Sequence, residues 1–196
     1  MIGKEKNQVS YKGNVSELCI YRSLRINLLL TVLITSFCVL SVYQIIFSLK
    51  YMPGDIFYNT YAFSFAGLVG SLSGGSVLGC VGLKKLFLIG FSMASIGSFL
   101  LIFYSDAGNL TALFLLLTTF GYAFSFLGCY MGVALLFPTV LKSSTMGIVN
   151  FFARMAGIFA PVVAEVRPPI NLIVLVAATV SGGILSQCLI LQGKEV

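Results

Sequence analysis

The sequence predicts an all-α, polytopic membrane protein with six transmembrane helices. Three observations carry that prediction. Hydrophobic residues make up 58% of the 196 residues and charged residues 9%, against about 25% charged in soluble domains. The run from Ile26 to Leu49 contains no charged residue. Further apolar runs of similar length follow it, each long enough for a helix to cross a hydrocarbon core about 30 Å thick.

Residues 1–25 form a basic, largely polar segment. It does not read as a signal peptide, because its start is polar and the first apolar run is too long for an h-region. Spans are then expected at Ile26–Leu49, Ile56–Val81, Leu86–Tyr104, Thr111–Phe137, Ser144–Ala164 and Pro169–Gln192. The first break, Lys50 to Asp55, holds a Pro-Gly pair with charges on both sides, a turn signal. The later breaks are Gly82–Lys85, Ser105–Asn109, Pro138–Ser143 and Glu165–Pro168. Pro168 and Pro169 suit a helix start, where a missing N–H costs nothing. The bundle thus covers 26–192, and 193–196 form a tail.

Lys and Arg set the orientation. Lys4, Lys6, Lys12, Arg22, Arg25, Lys84, Lys85, Lys142 and Lys194 fall on one side, and only Lys50 and Arg167 on the other. Both termini are therefore expected in the cytoplasm, in a multi-pass protein of the plasma membrane. The net charge of +6 follows from this bias and does not indicate a nucleic-acid partner, since no basic face stands on a soluble element.

Composition also narrows the chemistry. The chain has no His and no Trp, so the commonest metal ligand and proton shuttle is missing. Its five Cys are scattered, form no CxxC and read as small apolar residues. No Ser-His-Asp set, metal cluster or phosphate-binding loop is visible, so neither an enzyme, a metal nor a cofactor is expected.

Arg154 is the most informative residue. It lies in the middle of the fifth span, where an Arg costs roughly 2.5–3.5 kcal/mol on insertion scales and usually faces a cavity or partner. Gly147, Asn150, Arg154, Gly157 and Pro161 recur in steps of three and four, so they share one small-and-polar stripe. One reading makes this stripe a cavity wall with Arg154 as its charge. The other makes Arg154 structural, satisfied by carbonyls at a helix break near Pro161. Aromatics supply candidate walls for a flat organic ion: Tyr122, Phe126 and Tyr130 at four-residue spacing, Tyr43 beside Gln44, and Tyr58, Tyr61, Phe63 and Phe65 early in the second span. Lipid-facing roles compete for each. The candidate binding set is Arg154, Asn150, Tyr43, Gln44, Tyr122 and Phe126. In the second span, Gly70 with Gly74 and Gly75 with Gly79 have GxxxG spacing, which predicts close helix packing.

One stretch resembles a known pattern. Leu136-Phe137-Pro138-Thr139-Val140-Leu141-Lys142, then Gly147, then Ala153-Arg154-Met155-Ala156-Gly157-Ile158-Phe159-Ala160-Pro161 is similar to the fourth-to-fifth helix junction in the C-terminal half of organic ion transporters, a branch of the major facilitator superfamily. Leu18 to Tyr43 resembles that family's seventh helix and the basic loop before it. The resemblance spans about residues 18–192, six of the usual twelve helices. Departures are visible. The family's glutamate falls at Leu135 and its arginine at Lys142. In its cytoplasmic motif the two glycines match Gly75 and Gly82, a basic pair survives as Lys84 and Lys85, and an Asp and an Arg are replaced by Gly79 and Cys80. Gly75, Gly82, Lys84, Lys85 and Lys142 are thus the gating positions that the resemblance implies. Arg154 stands where anion-transporting members have Arg and cation transporters an acid. The resemblance implies alternating-access transport of small organic ions, anions favoured, by one half of a transporter. Its partners would be membrane lipid, the substrate, and an N-terminal six-helix half or a second copy of this chain. The alternative is a degenerate half that acts through membrane protein interactions without transport.

Overall fold

The computed structural model describes residues 20–103, 110–166 and 170–190. Most of the basic segment 1–25, the loop around Asp106 and the tail 193–196 lie outside these residues. Among the described residues helix is the only regular secondary structure, and six helical segments are long and apolar enough to cross a membrane. It is an all-α, multi-pass membrane protein.

The first span, α1 (Arg22–Ser48), continues through a 3-10 turn, Leu49–Tyr51. The Pro-Gly break follows, and Asp55 then caps α2 (Ile56–Val81): its carboxylate accepts from Phe57 N–H at 2.8 Å. This is the N-cap role that short acidic side chains fill. The connection to α3 (Leu83–Phe103) is a single residue, Gly82, at φ +79°. Only glycine adopts that conformation cheaply, so the chain reverses there at once. The third span consequently begins three residues before the expected Leu86, with Leu83 buried and Lys84 and Lys85 in the helix itself.

The fourth span, α4 (Leu110–Leu136), is the hub, packing extensively on α3 and α2. A Cβ built on Gly121 would meet Ala94 N and Gly90 O of α3 at 2.5 Å, so these backbones touch because side chains are missing, the usual device for helix contact in lipid. Gly70 and Gly74 of α2 likewise pack on Ala123 and Leu127 of α4, whereas Gly75 and Gly79 face open space. Of the two GxxxG pairs, one makes the predicted contact and the other does not.

The fifth span, Thr139–Ala164, starts as a 3-10 turn and is broken into α5 (Lys142–Gly157) and α6 (Ala160–Ala164). Pro161 has no N–H to give Gly157 O, and its ring crowds that turn. Ile158 N–H is accordingly shared between Arg154 O and Met155 O, each at 3.3 Å.

The sixth span, α7 (Ile170–Gln187), is shorter than the expected run to Gln192. The reason is Asn27, fully buried on α1: its amide donates to Ile190 O at 2.9 Å and accepts from Ile190 N–H at 3.0 Å. This paired clasp satisfies the backbone in place of another helical turn and seats Leu189 in the core. At the opposite end, Gln44 donates to Asn171 O, and Asn171 Oδ1 accepts from Leu172 N–H at 2.8 Å.

The bundle buries polar residues alongside its apolar core and turns many large apolar residues outward. Thr31, Thr35, Ser41, Gln44 and Ser48 of α1 are buried, while Leu68, Leu72, Phe65, Phe99, Ile173 and Ile184 are among the exposed apolar side chains. Lipid tails solvate that outer surface as well as a protein core would, so small and polar residues add to the contact that the apolar core makes between helices.

Candidate functional site

Two elements bring the candidate residues together. On α5, Asn150 and Arg154 lie one turn apart and share a face, as i and i+4 must. Ala153 and Val149 beside them are buried against the bundle, which leaves Asn150 half-buried and Arg154 exposed. On α1, Tyr43 is half-buried and directed at α5. Arg154 Nη1 donates to Tyr43 Oη, and the guanidinium carbon lies 5.9 Å from the Tyr43 ring centre. Among the described residues no other side-chain hydrogen bond of Arg154 is found, so the remaining N–H groups of its guanidinium are available.

The strip continues onto α4. Tyr130 Oη donates to Asn150 Oδ1 at 3.4 Å, and Asn150 Nδ2 donates back to Met146 O at 3.0 Å. Phe126 packs edge-on against Tyr130, ring centres 5.0 Å apart. The sequence Tyr43, Arg154, Asn150, Tyr130, Phe126 thus draws on α1, α5 and α4. Each phenol oxygen or amide in it has a partner, and the one formal charge is Arg154.

That charge has no counter-ion in the spans. The six acidic residues are Glu5, Glu17, Asp55, Asp106, Glu165 and Glu195, and none falls within a spanning helix. An exposed, uncompensated guanidinium near mid-membrane cannot be left in hydrocarbon at low cost. The strip therefore has to face water, an anion or another protein surface. The structural alternative of the sequence reading, a guanidinium satisfied by its own helix's freed carbonyls at the Pro161 break, is not the arrangement found: the hydrogen bond goes to Tyr43.

Gln44 and Tyr122 lie elsewhere. Gln44 is 2% exposed and its amide is committed to Asn171 on α7. One step along a helix turns a side chain by about 100°, so Tyr43 and Gln44 serve different neighbours. Tyr122 is also 2% exposed, deep in the core. Neither touches the strip around Arg154. The void between α1, α3 and α4, lined by Thr31, Thr35, Phe87 and Cys129, is too narrow for a water molecule and is no alternative site.

The implied gating positions lie at the junction of α2 and α3 and at the start of α5. Gly75 is exposed with open space beside it, Gly82 makes the α2–α3 reversal, and Lys84 and Lys85 occupy the first turn of α3. Gln187 of α7 donates to Lys84 O at 3.4 Å. Lys142 opens α5. Of the described cysteines, Cys38 and Cys129 are buried, as small apolar residues would be, whereas Cys80 and Cys188 are exposed.

Sequence reasoning named Tyr130 among the candidate aromatic walls, by its four-residue spacing from Phe126, but left it out of the binding set. Asn27 and Asn171 carried none beyond being Asn near the end of an apolar run. No family model and no curated protein matches the chain.

Proposed function

We propose that this chain is one half of a major-facilitator-type transporter and that its polar strip contributes the binding surface for a small organic anion. One observation carries the reading: Arg154, exposed near the middle of a span, keeps free N–H groups while no span supplies an acid to neutralise it. A guanidinium offers a planar fork that matches a carboxylate or sulfonate. Tyr43, accepting from Arg154, keeps its own proton to donate to the same anion. Tyr130 and Phe126 add aromatic surface for the organic part.

The transport cycle follows from the incompleteness of the strip. It lies on the outside of the six-helix bundle, so a second body must cover it to close a path. Substrate sites of such transporters lie near the midplane between two repeats that rock against each other. Here α2 and the fifth span are the least buried, and their free faces suit contact with an N-terminal six-helix half or a second copy. The distribution of Lys and Arg supports a topology with both termini in the cytoplasm, and the plasma membrane is the proposed location. A non-transporting, interaction-only role is the second reading, favoured by Gly79 and Cys80 standing at the positions of a charged gating pair.

The test is uptake of labelled benzoate into cells and proteoliposomes containing the chain, with its assembly state measured by cross-linking. Saturable uptake by an assembly, abolished by Arg154→Ala with insertion retained, is expected. Uptake unchanged in Arg154→Ala would remove the anion role. Robust uptake by a verified monomer would overturn the half-transporter reading.

A further inference from the structure

We infer that Gly157 is a positioning residue for the anion site, an inference that rests on the reading of Arg154 as an anion ligand: the space left by its missing side chain is the notch that seats the Tyr43 ring and so keeps the phenol on Arg154. Gly157 lies three residues after Arg154 and is buried against α1. A Cβ built there would stand 2.9 Å from Tyr43 Cδ2, 3.1 Å from Tyr43 Cε2 and 3.4 Å from Val39 Cγ1. The first is closer than carbon atoms pack, so one edge of the Tyr43 ring would have to move.

Two facts make space, and not backbone conformation, the reason for glycine. Gly157 is not among the residues with positive φ, which are Gly54 and Gly82. The three nearest atoms that a Cβ would meet are side-chain atoms of α1. Substitution therefore displaces a ring before it separates two helices. The displaced ring is the one whose hydroxyl accepts from Arg154 Nη1. With that bond in place the guanidinium has a fixed orientation and the phenol proton is directed by it. Once the bond is broken, Arg154 keeps its charge but loses its held geometry, and a planar carboxylate loses a pre-set fork.

The experiment uses the full chain in nanodiscs and follows modification of Arg154 by phenylglyoxal, read by mass spectrometry at that residue. Without any anion, Gly157→Ala should raise the rate about fivefold, the size of a typical lost hydrogen bond. Tyr43→Phe should raise it equally, and the double variant no further. A Gly157→Ala effect that adds to Tyr43→Phe would mean a general loosening of the fifth span and would overturn the proposal. If Gly157→Ala does not fold, Gly157→Ala/Tyr43→Ala should fold, because the obstacle is gone; failure of that double variant also overturns it. Added benzoate should slow modification in the wild type and protect Gly157→Ala several-fold less. Absence of protection in the wild type alone would remove the anion and leave the seating of Tyr43 standing.

Discussion

Arg154 on the fifth span donates a hydrogen bond to the Tyr43 hydroxyl on the first, across 111 positions of sequence. The contact joins a charged residue near the middle of the fifth span to an aromatic on a helix against which α5 packs extensively. Its consequence is orientation. A long, flexible cation on an exposed face of the bundle is held by one N–H, and the others stay free.

Arg154→Lys separates charge from shape. The ammonium keeps the attraction for an anion but has no planar fork, and it cannot match both the phenol and a carboxylate in one plane. Losing one charge-assisted bond of about 1.5–3 kcal/mol should weaken benzoate binding roughly tenfold or more while insertion is kept. Binding isotherms of the two proteins in nanodiscs check this, and equal affinities would show that charge alone suffices.

Asn27 should matter for stability and not for binding. Asn27→Ala strips both partners from the Ile190 backbone, losing two part-buried hydrogen bonds at once. The expected cost is about 1–3 kcal/mol, with the residues after Gln187 released first. Denaturant titration in detergent, with hydrogen exchange at Leu189 and Ile190, measures both effects.

Two glycines on adjacent helices should respond in opposite senses. Gly121→Ala drives a methyl into the α3 backbone at Ala94 and Gly90, an overpacking worth roughly 1–3 kcal/mol of destabilisation. Gly75→Ala meets nothing within 4 Å and should be neutral or slightly stabilising, since alanine favours helix by about 0.5–1 kcal/mol. The same titration compares the pair; a costly Gly75→Ala in the isolated chain would contradict the open face drawn for α2.

The orientation is testable from described residues at opposite ends of α2 and α3. In a background lacking Cys80 and Cys188, Asp55→Cys should react with a membrane-impermeant maleimide added outside intact cells. Lys85→Cys should react only after permeabilisation. The reverse pattern would invert the topology drawn from the basic residues.

The six spans were legible because lipid imposes a length and a composition on any helix that crosses it. The second span begins and ends at the expected residues, Ile56 and Val81. Ends were less legible where a single residue decided them. Gly82 reverses the chain and starts the third span early, and a distant Asn27 stops the sixth early. Periodicity does not report either event. The two GxxxG pairs show the same limit: spacing predicts a packing surface, but not which of two overlapping surfaces has a neighbour.

Arg154 as a residue needing explanation came from sequence alone, because the cost of a guanidinium in hydrocarbon depends only on depth. That Tyr43 answers it, that Gln44 next door turns away to Asn171, and that Tyr122 is sunk in the core were decided by tertiary structure. The physical reason is rotational. Hydropathy fixes where along the membrane normal a residue sits, whereas its partner depends on which way its helix is turned. In a bundle whose outside is lipid, that turn is set by glycine notches and buried amides, and these act only when another helix is against them.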